Sequence, residues 1–144
     1  MPEFQLNGGP LKFSNSDATL TAIVNGYVEA MFFTNGDTGD EDEYSLNRLG
    51  VDRLTLKARD KIYSDCAAFH KACEYALEAA FAYDYEPEQA GRDFWFTRQG
   101  HGTGFWDRDA LNVLSEPDRD SLSDYAHKAG ERYVYTNHGW IYIQ

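Results

Sequence analysis

"GRDFWFTRQGHGTGFWDRD", Gly91 to Asp109, holds two of the three Trp, four of the twelve Gly and six charged residues of the chain. How it folds decides the fold class. Phe94-Trp95-Phe96-Thr97 has the aromatic and β-branched content of a strand, "RQGHG" has the residues of a turn, and Thr103 to Trp106 can return as a second strand. On this reading Gly100, Gly102 and Gly104 serve a hairpin loop or bulge.

On either side the patterns are helical and then again strand-like. Leu20, Ile23, Val24, Tyr27, Val28, Met31 and Phe32 recur at period 3.6 in "SNSDATLTAIVNGYVEAMFFTNG", an apolar helix face. Ser16 or Asn15 can cap its start, and Asn35-Gly36 stops it. "DTGDEDE" reads as an acidic loop, with a short helical turn at Tyr44 to Leu49. A longer helix is expected from about Asp52 to Tyr83, ended by Pro87 and Gly91. Ser121 to Asp124 has capping-box spacing for a short helix that stops at Gly130. Arg132 to Thr136 and Trp140 to Ile143 read as strands joined at Asn137-His138-Gly139. Phe4 to Phe13 is a further edge-strand candidate. The expectation is one α+β domain over residues 1–144: an antiparallel sheet of about four strands (two hairpins), with two longer helices and one short helix packed on one face.

At 144 residues the chain suits one domain. Its 15% aromatic content argues for a folded core. There is no run of 18 apolar residues and no basic-then-apolar N-terminus, so neither a membrane span nor a signal peptide is expected. Cys66 and Cys73 lie seven apart on one expected helix, a rise of roughly 10 Å, too far for a disulfide. They read as thiols in a reducing compartment, the cytosol by default. The net charge of -11 argues against direct binding to nucleic acid or anionic membranes, which calls for excess Lys and Arg.

"AGRDFWFTRQGHGTGFWDR", "GYVEAMFFTNG" and "KAGERYVYTNHGWIYI" together resemble a family of small acidic uncharacterised proteins of tailed bacteriophages and related mobile elements. The likeness is collinear over most of the chain. Phe96 stands where that family usually has an aliphatic residue, and Arg92 where it often has His. The resemblance implies a phage product working in the host bacterial cytoplasm, and no known activity.

Several residues invite chemistry. His101, with Asp93, Arg98 and Asp107 near in sequence, could form a general-base site among flexible glycines. Arg98 paired with Asp107 across a hairpin is the structural alternative. "GHGTG" matches neither phosphate-loop pattern and precedes no helix. Cys66, His70 and Cys73 are zinc-ligand types at helical spacing. Four ligands would require His127 or His138, and buried cysteines on an apolar stripe are the commoner reading. No hydrolase, zinc-protease or zinc-deaminase signature is present.

The acidic balance points to a binding protein. Eleven charges match roughly 19 Å of duplex axis at one per about 1.7 Å, so DNA mimicry needs a one-sided surface, against a plain solubility charge as the alternative. The sequence thus points to a non-enzymatic phage accessory protein that binds a host protein, nucleic-acid-binding or part of a defence system. The acidic residues Asp37, Asp40, Glu41, Asp42 and Glu43 would supply the surface, and Trp95, His101, Trp106 and Arg108 a second one. No cofactor or metal is expected. A small-ligand protein or enzyme around Asp93, Arg98, His101 and Asp107 is the alternative. Self-association through exposed aromatics is a third, and homodimer and monomer both stay open.

Overall fold

A computed structural model describes residues 10, 11, 17–35, 46 and 48–144. The Phe4 to Phe13 strand candidate, the helical turn at Tyr44 to Leu49 and the "DTGDEDE" loop fall wholly or mostly outside the described residues. So do the cap candidates Asn15 and Ser16.

Helix α1 (Ala18–Thr34) begins at Asp17, whose carboxylate accepts the Leu20 N–H at 2.6 Å. It ends at Asn35, whose side-chain Nδ2 donates to the Met31 carbonyl. The apolar stripe is buried along its whole length. The long helix expected over 52–83 is divided. A 3₁₀ turn, Val51–Arg53, precedes α2 (Leu56–Ala72), and α3 (Glu74–Phe81) follows a break at Cys73. Thr55 caps α2 by accepting the Ala58 N–H. Its own N–H donates to the Ile141 carbonyl, which holds residues 54–55 extended.

The stretch that decides the fold is helical. Helix α4 (Pro87–Arg98) has its proline in the first turn, where the missing N–H costs nothing. Ala90, Gly91, Phe94, Trp95 and Arg98 are buried at i, i+1, i+4, i+5 and i+8, a helical face. "RQGH" then closes the helix. The Gly100 N–H donates to the Thr97 carbonyl and the His101 N–H to the Phe96 carbonyl, with Gly100 at φ 72°. That is a Schellman stop, so the glycine assigned to a hairpin turn is a helix terminator. Thr103 to Trp106 forms no strand either, since Phe105–Asp107 and Asp109–Val113 are 3₁₀ turns.

Helix α5 (Glu116–Ala129) starts at Ser115, six residues before the expected Ser121, and stops at Gly130 as expected. Strands β1 (Val134–Asn137) and β2 (Trp140–Ile143) pair antiparallel with Tyr135 opposite Tyr142. His138 and Gly139 both have positive φ, 52° and 80°, as a tight two-residue turn demands. The expected four-stranded α+β sheet is therefore corrected: among the described residues, five α-helices and one two-stranded sheet make a mostly helical fold. Strand propensity at Phe94–Thr97 lost to helix packing.

The core is aromatic. The Phe69 and Phe94 rings stack with centroids 4.4 Å apart, and Trp95 meets Tyr27 edge-on at 5.2 Å. The Trp95 indole N–H donates to Thr34 Oγ1 at 2.7 Å. Helix α4 crosses α1 backbone to backbone. A β-carbon on Gly91 would lie 1.9 Å from the Ile23 carbonyl oxygen, and one on Gly26 1.9 Å from that of Glu88. Gly91→Ala should therefore reverse the usual helical preference for alanine of about 1 kcal/mol. Urea unfolding is expected to show a loss of about 3 kcal/mol or more from overpacking against backbone. Gly102→Ala, whose β-carbon meets nothing within 4 Å, should stay within about 0.5 kcal/mol of wild type.

Candidate functional site

Tyr85, Gln89 and Asp93 stand at i, i+4 and i+8, and all three meet at the Asp93 carboxylate. The Tyr85 hydroxyl donates to Asp93 Oδ2 at 2.7 Å, and the Gln89 amide to Oδ1 at 2.9 Å. From the loop beyond α4, Arg108 adds its side-on fork, Nε to Oδ1 at 3.0 Å and Nη2 to Oδ1 at 2.7 Å. Arg108 Nε also reaches Oδ2 at 3.1 Å. Asp93 is wholly buried, and five hydrogen bonds of this kind are what a buried carboxylate needs. Burial works to lower the Arg108 pKa, but the Asp93 hydrogen bonds and charge prevail and raise it. Burial, with the carboxylate beside it, pushes the Tyr85 hydroxyl well up, so it stays a donor.

This network floors a cleft of about 300 Å³ whose lining includes Asp84, Glu86, Arg92, Asp107, Arg108 and Asp109. Arg92 is tied to Glu29 at 3.3 Å and to Gln89 at 3.2 Å. Asp107 turns one oxygen inward to accept the Gly104 N–H.

Arg98 belongs to a different place. Its Nη1 donates to Tyr27 Oη at 3.0 Å and to Asp65 Oδ2 at 2.7 Å. Its Nε and Nη2 donate to the carbonyls of Gly130 and Ala129, closing the end of α5. Arg132 grips the same Asp65 with two bonds of 2.8 and 2.9 Å. Burial works to raise the Asp65 pKa, but the Arg132 and Arg98 hydrogen bonds outweigh it and hold the carboxyl below the usual range. Burial raises the Tyr27 hydroxyl strongly.

The four candidate residues of the alternative general-base site are thus not gathered. Asp107 lines the cleft and Asp93 is buried beneath it, Arg98 is locked 3% exposed in the second network, and His101 is exposed with its ring edge-on to Phe96. The expected Arg98–Asp107 pairing does not form, because Arg98 pairs with Asp65. Of the second partner surface, Trp95 is fully buried, Arg108 is half-buried on Asp93, and Trp106 is 44% exposed. The acidic residues Asp37 to Glu43 lie outside the described residues. Cys66 and Cys73 are both free and buried. Burial takes Cys66 well above the ordinary thiol value and Cys73 to about 11, so both stay protonated at neutral pH. No group of three or more His, Cys, Asp or Glu that could hold a metal ion occurs among the described residues. No helix among them is long and apolar enough to cross a membrane.

Sequence reading missed Tyr85, Gln89, Asp65 and Arg132. For the first two the signal was present as i, i+4, i+8 spacing to Asp93, legible only once the segment is taken as helix. Compared with protein-family models, with curated proteins and with solved structures, the chain gives no match.

The Asp65 pair gives acid sensitivity with a definite sign. Its folded pKa is depressed, so the unfolded chain takes up the proton first as pH falls. The contribution is full at neutral pH, shrinks below about pH 5 and is gone once pH passes the folded value. Asp65→Asn should lower stability at pH 7 and flatten the acid limb of a plot of unfolding free energy against pH. An unchanged slope below about pH 4 would contradict this.

Proposed function

We propose that the protein is a phage-encoded accessory factor that acts by binding a host macromolecule, a nucleic-acid-binding or defence protein met through carboxylates. The observation that supports this is an acidic helix face beside an exposed tryptophan. Glu116, Asp120 and Asp124 are exposed at i, i+4 and i+8 on α5. This helix docks on the Phe105–Asp107 turn, where the Arg119 guanidinium donates to the Trp106 carbonyl at 2.9 Å. Arg119, the sole cation of residues 116–124, is thereby engaged by backbone. Asp107 and Asp109 continue the acidic surface past Trp106.

Two cations lie away from this face. Arg53 lies over the Trp140 ring at 5.3 Å, and Lys61 donates to the Ile143 carbonyl, both beside the terminal hairpin. A run of exposed carboxylates such as that on α5 is what recognition of a basic groove would use. One carboxylate per helical turn, about 5.4 Å, is sparser than the one charge per about 1.7 Å of duplex axis. Charge alone would therefore steer a partner weakly, and Trp106 supplies the aromatic anchor around which interface energy concentrates.

Immobilised protein should capture from bacterial lysate a nucleic-acid-binding protein that both salt and duplex DNA release. Trp106→Ala and the triple change Glu116→Gln, Asp120→Asn, Asp124→Asn should each cut capture at least about tenfold, equivalent to 1.4 kcal/mol. The reading fails if wild-type protein captures nothing that DNA displaces, or if both variants capture as wild type does.

A further inference from the structure

The cleft over Asp93 carries groups that the network beneath it does not use. Arg108 presents Nε and Nη2 to Asp93 and has no partner for Nη1 among the described residues, with 27% of its side chain exposed. Arg92 spends Nε on Gln89 and Nη1 on Glu29, leaving Nη2 in the same position. Both residues line the cleft. Their guanidinium groups are already held by carboxylates, which fixes where the spare N–H groups sit without using them. Around them Asp84, Glu86 and Asp109 have no cationic partner among the described residues, and Asp107 gives one oxygen to the Gly104 N–H.

The charges define a guest. Glu29 balances Arg92 and Asp93 balances Arg108, so the four rim carboxylates set the net sign of the cleft. A guest must therefore be cationic overall. It also gains from one carboxylate, since each of the two arginines lining the cleft keeps one guanidinium nitrogen without a hydrogen bond among the described residues, and a carboxylate is the geometric match of a guanidinium. A volume near 300 Å³ is at the small end for ligand sites and suits a molecule of amino-acid size. We propose that this cleft binds a free amino acid with a cationic side chain, of the arginine or lysine type. The α-carboxylate is taken by Arg92 Nη2 and Arg108 Nη1, and the two cationic groups by the rim acids. The site is centred on Asp93 and Arg108, with neither His101 nor Arg98 in it, and the proposal does not depend on macromolecular binding by α5.

Calorimetric titration with L-arginine and L-lysine tests it, with two relatives of arginine as probes of the two ends. Agmatine lacks the carboxylate, and citrulline lacks the side-chain charge. Saturable binding of at least one of the two amino acids is expected, with agmatine and citrulline each at least about tenfold weaker than L-arginine. Asp84→Asn with Asp109→Asn, at two exposed carboxylates with no cationic partner among the described residues, should weaken the amino acid about tenfold while leaving the melting temperature unchanged. Arg92→Gln should shrink the difference between arginine and agmatine. No saturable binding of either amino acid overturns the proposal. So does equal binding of arginine, agmatine and citrulline, or arginine affinity that survives the rim variant. Loss of lysate capture by the α5 variant with arginine binding intact would separate the two sites.

Discussion

Two hydrogens hold the centre of this fold open. At Gly26 and Gly91 the absent β-carbon is replaced by a carbonyl oxygen of the facing helix, 1.9 Å from where that carbon would be. Helices packed through ordinary side chains keep their axes 8–10 Å apart, and glycine at the contact removes the spacer. The cost is roughly 1 kcal/mol of helix propensity at each glycine. What it gains is reach. Tyr27 follows Gly26 directly, so its ring meets both Phe94 and Trp95, and its hydroxyl meets Arg98. The stacked Phe69–Phe94 pair then ties α2 to α4.

Around that crossing the polar residues that look most chemical are structural. Arg98 bonds to α1, α2 and the end of α5 at once, while Asp93 gathers α4, Tyr85 and the loop at Arg108. Buried ion pairs of this kind add little net stability over apolar packing. Removing one partner is costly because it strands a charge. Their contribution is therefore to fix which elements meet. With those groups spoken for, the proposed recognition draws on surface groups: the acidic side of α5, Trp106, and the spare N–H groups of the cleft arginines.

The sequence carried the parts whose burial is apolar and periodic. Helix α1 was legible because its apolar residues recur at 3.6, and the terminal hairpin because aromatic and β-branched segments flank a turn with Asn and Gly. Helix α4 was not, because three of its seven buried residues are polar. Asp93, Thr97 and Arg98 are all buried in it, and a search for apolar periodicity scores them as exposed. Pro87 and Gly91 then read as breakers, when one opens the helix and the other receives its neighbour. At the candidate site, Asp93, Asp107 and Arg108 were visible as residue types. Their sorting was not, since the partners that claim Arg98 come from 33 residues away at Asp65 and 71 at Tyr27. Nothing local encodes that choice.

Native-state hydrogen exchange, followed amide by amide, tests the glycine crossing most directly. If the α1–α4 contact is the constraint on which the rest depends, amides of Ile23 to Val28 and of Ala90 to Trp95 open together, only in global unfolding. Helix α4 amides exchanging through a lower-energy local opening while α1 stays protected would contradict the account.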